Sequence, residues 1–201
     1  MESLTCGNSR IVGCRFSVHP MADDFKEMIL TALNEVDMSK VWSETDDITT
    51  CIRGRSEHVF DVTRAIYARL ADTGVHVAFN GTFSVGCPGD TQGHAYMDVD
   101  GERLNIPLER QSSMDSSAHF AVYPMGTENY MPIIASAVEK AQEHGTFTEG
   151  VHYASRLDGN VHDVFATLEE MFVTAAQQDE NGHLLLTATL SANSPSKQKT
   201  S

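Results

Sequence analysis

The chain repeats itself. The stretch Arg15-Phe16-Ser17-Val18-His19-Pro20-Met21 returns as His119-Phe120-Ala121-Val122-Tyr123-Pro124-Met125, an offset of 104 residues. Val59-Phe60 returns as Val164-Phe165 at offset 105, and Thr82-Phe83-Ser84-Val85 with Pro88 returns as Thr189-Leu190-Ser191-Ala192 with Pro195 at offset 107. Similarity that keeps its order along the chain marks a duplicated unit, and this period is too long for a solenoid repeat. A length of 201 residues accommodates two such units.

Both units show the same order of periodicities. In the first, residues 11–18 alternate like a strand, and 22–36 carry Phe25, Met28, Ile29, Ala32, Leu33 and Val36 at helical spacing. Trp42 marks a short strand, and 47–53 alternate again. A second helix is predicted over 56–72, with Ser56 as N-cap and Gly74 just past its end, followed by a strand over 75–86. The second unit predicts a strand at 117–123, a helix at 127–143, strands near 147–149 and 151–157, a helix at 160–178 and a strand at 183–192. The order β-α-β-β-α-β is the ferredoxin-like arrangement. The expected fold is therefore α+β: tandem duplicated ferredoxin-like repeats, each an antiparallel sheet with its helices on one face. The expected boundaries are 8–92 for the first repeat, 93–115 for the connection, 116–193 for the second repeat and 194–201 for a mobile tail. Two sheets imply two open faces.

Alternation assigns residues to those faces. Cys14, Phe16 and Val18, then Ile48, Thr50 and Ile52, then Val77, Phe79, Phe83 and Val85 are expected under the helices. Ser17, Thr49, Asn80, Thr82 and Ser84 then share the open face, with Arg15, His19, Asp47 and Arg53 near its ends. A solvated sheet face is common, but it is usually built from long charged side chains. This one is built from small hydroxyl and amide groups, which leave room for a flat polar molecule and offer it donors and acceptors. In the second repeat Ser17 becomes Ala121, Thr49 becomes Ala154, Asn80 becomes Thr187, His19 becomes Tyr123 and Asp47 becomes His152, while Thr189 and Ser191 keep the places of Thr82 and Ser84. The candidate ligand-binding set is Ser17, Thr49, Asp47, Asn80, Thr82 and Ser84 with Tyr123, His152, Thr189 and Ser191. The second face has fewer polar handles and is expected to bind more weakly.

Composition removes other classes. Hydrophobic residues make up 41% and charged residues 21%, which suits a globular protein. A formal net charge of −14 repels phosphate backbones, so nucleic acid is not an expected partner. No apolar run reaches the ~18–20 residues of a membrane span, and Met1–Cys6 lacks the basic and apolar regions of a secretory signal. The four cysteines, Cys6, Cys14, Cys51 and Cys87, form no C-x-x-C pair, which fits reduced thiols in the cytoplasm. The nine histidines include no i, i+4 pair on a helix with a carboxylate, so no metal is expected, and His58 and His162 are read as surface residues. Ser9, Ser17 and Ser84 lack a nucleophile-elbow context, and no glycine-rich loop opens a helix as phosphate sites require. Met21 and Met125 are read as turn-and-core residues. No catalytic residue and no cofactor is expected.

Several blocks together resemble the YkoF family. They are Arg15-Phe16-Ser17-Val18-His19-Pro20-Met21, Ser39-Lys40-Val41-Trp42, the long stretch from Asn80 to Gly93, Gly150-Val151-His152-Tyr153-Ala154-Ser155 and Leu190-Ser191-Ala192-Asn193-Ser194-Pro195. The resemblance implies a tandem ferredoxin-like, dimeric, non-catalytic protein that binds thiamin and its hydroxymethylpyrimidine portion. It also implies association with a membrane uptake system for that pyrimidine. Contact residues are not carried over from the family; the open-face set comes from alternation. Two alternatives share the topology or the ligand: an amino-acid-sensing regulatory module, and an enzyme acting on the same pyrimidine.

Overall fold

The computed structural model describes residues 10–87, 94–105, 114–180 and 182–196. Cys6, Ser9, part of the expected connection and residues 197–201 of the expected tail lie outside the described residues. The first half runs β1 (Val12–Pro20), α1 (Phe25–Asn34), β2 (Trp42–Thr45), β3 (Thr50–Gly54), α2 (Ser56–Asp72) and β4 (Val77–Val85). The second runs β5 (Asp115–Met125), α3 (Tyr130–Glu143), β6 (Phe147–Val151), β7 (Ala154–Asn160), α4 (Val161–Gln178) and β8 (His183–Ala192). The molecule is a tandem α+β duplication.

The expectation of two separate sheets is corrected. One eight-stranded antiparallel sheet runs in the order β2-β3-β1-β4-β8-β5-β7-β6. β4 and β8 are the edge strands of their own halves, and an edge exposes a row of unsatisfied N–H and C=O groups. Here each edge satisfies the other, from Val77 opposite Ala192 to Val85 opposite Leu184. Gly81 faces Ala188 at the centre, while Asn80 faces Thr189 and Thr82 faces Thr187, so equivalent residues exchange places about a local two-fold axis. A histidine from each half meets a serine of the other at the two ends of this seam. His76 Nε2 lies 3.0 Å from Ser191 Oγ, and His183 Nε2 lies 3.1 Å from Ser84 Oγ. Gly81 is also a packing requirement: a Cβ there would fall 2.5 Å from the Phe79 ring beneath it.

The helix side of the sheet holds a single core. Phe60 on α2 stacks on Phe83 with centroids 4.2 Å apart and meets Phe172 of α4 at 5.7 Å. Tyr67 and Phe79 each reach Phe165 at 5.9 Å. Aromatic rings from both halves thus interlock across the seam. The buried Tyr67 hydroxyl finds Ser116 Oγ at 3.0 Å. A buried polar cluster ties Asn105 of the connection to the first half. Asp61 accepts from Arg64 Nη2 at 2.6 Å and from the backbone N–H and Nδ2 of Asn105 at 3.0 and 2.8 Å.

Local details depart from the sequence reading. Arg55, not Ser56, occupies the N-cap position of α2 and makes no side-chain cap bond; Ser56 is the first helical residue. Its equivalent Asn160 does cap α4, accepting from the His162 backbone N–H at 3.0 Å. Ile48 is 77% exposed, because alternation ends at a turn before β3. Met21 follows β1 and Met125 ends β5, and both are exposed and outside the core. His58 is buried, its Nε2 2.6 Å from the Asp100 carbonyl oxygen. His162 is half-buried, its Nδ1 3.2 Å from Arg64 Nη1.

A shared core predicts cooperative unfolding. Phe165→Ala, in the second half, should cost about 3–5 kcal/mol. Trp42, the single tryptophan, reports from the first half. Its fluorescence midpoint in urea should fall together with the circular-dichroism midpoint. Two separated transitions would contradict a core common to both halves.

Candidate functional site

The face away from the helices carries a depression of about 830 Å³ spanning β3, β1, β4 and β8. Strand parity builds it. On β1, Cys14 and Phe16 point under the helices, so Arg15 and Ser17 point out. On β4, Phe79 and Phe83 are buried, so Asn80, Thr82 and Ser84 point out. Thr187 and Thr189 arrive from β8 because that strand pairs with β4. The floor is therefore a field of short hydroxyl and amide groups on two paired edges.

Those groups are partly organised among themselves. Thr189 Oγ1 donates to Asn80 Oδ1 across the seam at 3.0 Å. Ser17 Oγ lies 2.9 Å from His19 Nε2. Arg15 Nη1 donates to Thr49 Oγ1 at 2.7 Å and to Asp46 Oδ2 at 3.1 Å. Asp46 also accepts from the backbone N–H groups of Thr49 and Ile48 at 2.7 and 2.8 Å. Those backbone donors, chiefly that of Thr49, hold its carboxyl below the usual carboxylate range. Burial pushes the Cys51 thiol up and pushes Cys14, on the helix side of the sheet, up further, so both resist forming a thiolate. Arg53 lines one end, its Cζ 5.7 Å from the centre of the Trp42 ring.

The second half holds a smaller depression of about 370 Å³, lined by Asp115, Ser117, Arg156 and Ser191 with Asn193, Ser194 and Ser196. Pairing with β5 and β1 places Arg156 where the first half has Cys51, and Asp158 where it has Arg53. Arg156 donates twice to Asp158, at 2.7 and 2.9 Å, and Ser117 and Thr148 donate to the same carboxylate at 2.6 and 2.8 Å. Ion pair and hydroxyls close on one another.

Of the residues anticipated from alternation, Ser17, Thr49, Asn80, Thr82 and Ser84 line the first depression. Thr189, expected with the second face, joins them, and Ser191 lines the second depression. Asp47, His152 and Tyr123 line neither. Asp47 and His152 sit on the hairpin turns before β3 and β7, where alternation has stopped, and Tyr123 lies near the end of β5, 48% exposed. Arg53 was already legible as a face residue from the parity of β3. Thr187 was not assignable to the first site without knowing that the two edges pair.

The Asp158 carboxyl is raised by burial but drawn down further by Arg156, Ser117 and Thr148, leaving it well below the ordinary carboxylate range. A depressed carboxyl stabilises the fold above its unfolded pKa of about 4, and that contribution is lost as pH falls through the folded value. Wild type should therefore exceed Asp158→Asn in urea midpoint at neutral pH. The gap should close as pH drops below about 4. A gap independent of pH would contradict the assignment.

Residues 11–90 and 115–197 match the model of the family described as YKOF-related Family. A protein of Bacillus subtilis (strain 168), described as "Putative HMP/thiamine-binding protein YkoF", is 50% identical over 198 residues, spanning 98% of both chains. Two matched segments, one in each half of a duplicated fold, together with identity of this extent, place the chain in the YkoF-related family.

Proposed function

We propose that this chain is a non-catalytic binding protein for thiamin and its hydroxymethylpyrimidine portion. The observation that carries the reading is the depression on the open sheet face, floored by Ser17, Asn80, Thr82 and Thr189. An aminopyrimidine is flat, with apolar faces and an edge of ring nitrogens and an exocyclic amine. Short hydroxyl and amide groups let the ring approach and pair with that edge. The relative's name supports the same ligand class. The depression has one wall, and a ligand of this size is normally enclosed on several sides. A homodimer supplies the missing wall. The family resemblance adds a cytoplasmic role beside a pyrimidine or thiamin uptake system. No helix among the described residues is long and apolar enough to cross a membrane, so contact with such a system is peripheral in this reading.

The Ser84–His183 pair has the spacing of a nucleophile and base, yet its copy, Ser191–His76, stands at the other end of the seam. Repetition at both ends of a strand pairing favours a fastening role over an activated serine. The two depressions differ in size and charge, so calorimetry should resolve a tighter and a weaker class of pyrimidine site. Ser17→Ala and Thr49→Ala should each weaken the tighter class by about 0.5–1.5 kcal/mol. Hydroxymethylpyrimidine should raise the melting temperature, and free amino acids should not. Unchanged affinity in both variants would remove the site. Stabilisation by amino acids alone would replace the ligand class.

A further inference from the structure

One row of open-face positions crosses the seam as Ser17, Asn80, Thr189 and His119, on β1, β4, β8 and β5. The first three line the first depression. Asn80 is the one amide side chain among the described residues that line it. An amide carries two N–H donors on Nδ2 and two lone pairs on Oδ1. Thr189 Oγ1 donates to Oδ1 from across the seam at 3.0 Å, which leaves the second lone pair. Among the described residues no hydrogen bond engages Asn80 Nδ2, and both residues are exposed. The second depression is built otherwise. Its amide, Asn193, donates through Nδ2 to the carbonyl oxygens of Ala71 and Val75 at 2.7 and 3.0 Å. The local two-fold puts Thr187 where Asn80 stands, so the seam carries this amide once.

We propose that the Asn80 amide, held by Thr189, selects 4-aminopyrimidines and rejects 4-oxo pyrimidines of the same shape. The inference rests on the pyrimidine-binding reading above. A ring nitrogen beside an exocyclic amine presents an acceptor next to a donor. Asn80 Nδ2 donates to the ring nitrogen, and the second lone pair of Oδ1 accepts from the amine. Asparagine reads adenine by the same paired match. In the 4-oxo ring the order reverses: the ring nitrogen bears a proton and the exocyclic oxygen accepts. Donor then meets donor, and acceptor meets acceptor. Turning the amide over would restore the match. Thr189 opposes that turn, because its hydroxyl would face Nδ2 and its proton would lose the Oδ1 acceptor. Asn80 is thus the contact residue and Thr189 a positioning residue. Ser17, opposite Asn80 on β1, and Thr82, two residues along β4, are short, so a ring can meet the amide edge-on. With the Nδ2 of Asn193 already engaged, the discrimination belongs to one site of the two.

The test compares hydroxymethylpyrimidine with its 4-oxo analogue by calorimetry. In the wild type the amino compound should bind about tenfold or more tightly than the oxo compound at the tighter site, as a paired hydrogen-bond match implies. The amino-to-oxo ratio should fall towards unity in Asn80→Ala. It should shrink in Thr189→Val, which keeps the shape but frees the amide to turn, and should be kept in Thr189→Ser. Circular dichroism checks that all three variants are folded. A purely structural role for Thr189 would weaken both ligands alike and leave the ratio unchanged, which would overturn its part in the inference. An oxo analogue that binds the wild type as tightly as the amino compound would overturn the whole inference and leave the pyrimidine reading standing. A ratio that survives Asn80→Ala would also overturn it. Failure of every pyrimidine to bind would overturn both.

Discussion

The antiparallel pairing of β4 with β8 governs this molecule. A ferredoxin-like unit on its own leaves its last strand as an open edge, with a ladder of backbone groups that seek partners. Duplication supplies the partner within the same chain. Once β4 and β8 pair, the two sheets become one, the helices of both halves share one face, and Phe60, Phe79 and Phe83 come within reach of Phe165 and Phe172. The same pairing brings Thr187 and Thr189 beside Asn80 and Thr82. Core and candidate site are consequences of one hydrogen-bonded seam, read on its two sides.

Two-fold relatedness of the backbone has not kept the two surfaces alike. Opposite the same β-strand register, one half has Cys51 and Arg53 and the other has Arg156 and Asp158. A thiol is short and, with its pKa pushed up by burial, uncharged, so it leaves space beside a cation. An arginine next to an aspartate folds onto it, because bidentate geometry and the surrounding hydroxyls satisfy both charges at once. The first half is left open, the second narrower and internally neutralised. Divergence at these positions helps turn a symmetric scaffold into two unequal surfaces.

The polar groups of the interior serve a different end. Asp61, Arg64 and Asn105 form a buried cluster that anchors Asn105 of the connection to α2, and Asn105 also exchanges hydrogen bonds with the backbone of Asp37. Such a cluster adds little net stability over an apolar alternative, but it is costly to break and therefore holds one arrangement.

Much was legible in the residues themselves. The repeat is a property of order along the chain, and the elements follow from periods of 2 and 3.6; the predicted limits of α2 and β8 agree with the structure. Face assignment on β1 and β4 needs only alternation, which is why Ser17, Asn80, Thr82 and Ser84 could be grouped without coordinates. Asp47, Ile48 and His152 were misplaced because alternation holds only while the backbone stays extended, and a hairpin turn before β3 or β7 interrupts it. What only the tertiary structure decided was the meeting of β4 with β8. Backbone hydrogen bonds carry no side-chain signature, so nothing in either strand names its partner across 109 residues from Asn80 to Thr189. That single long-range contact turned two expected open faces into one and moved Thr187 and Thr189 into the first site.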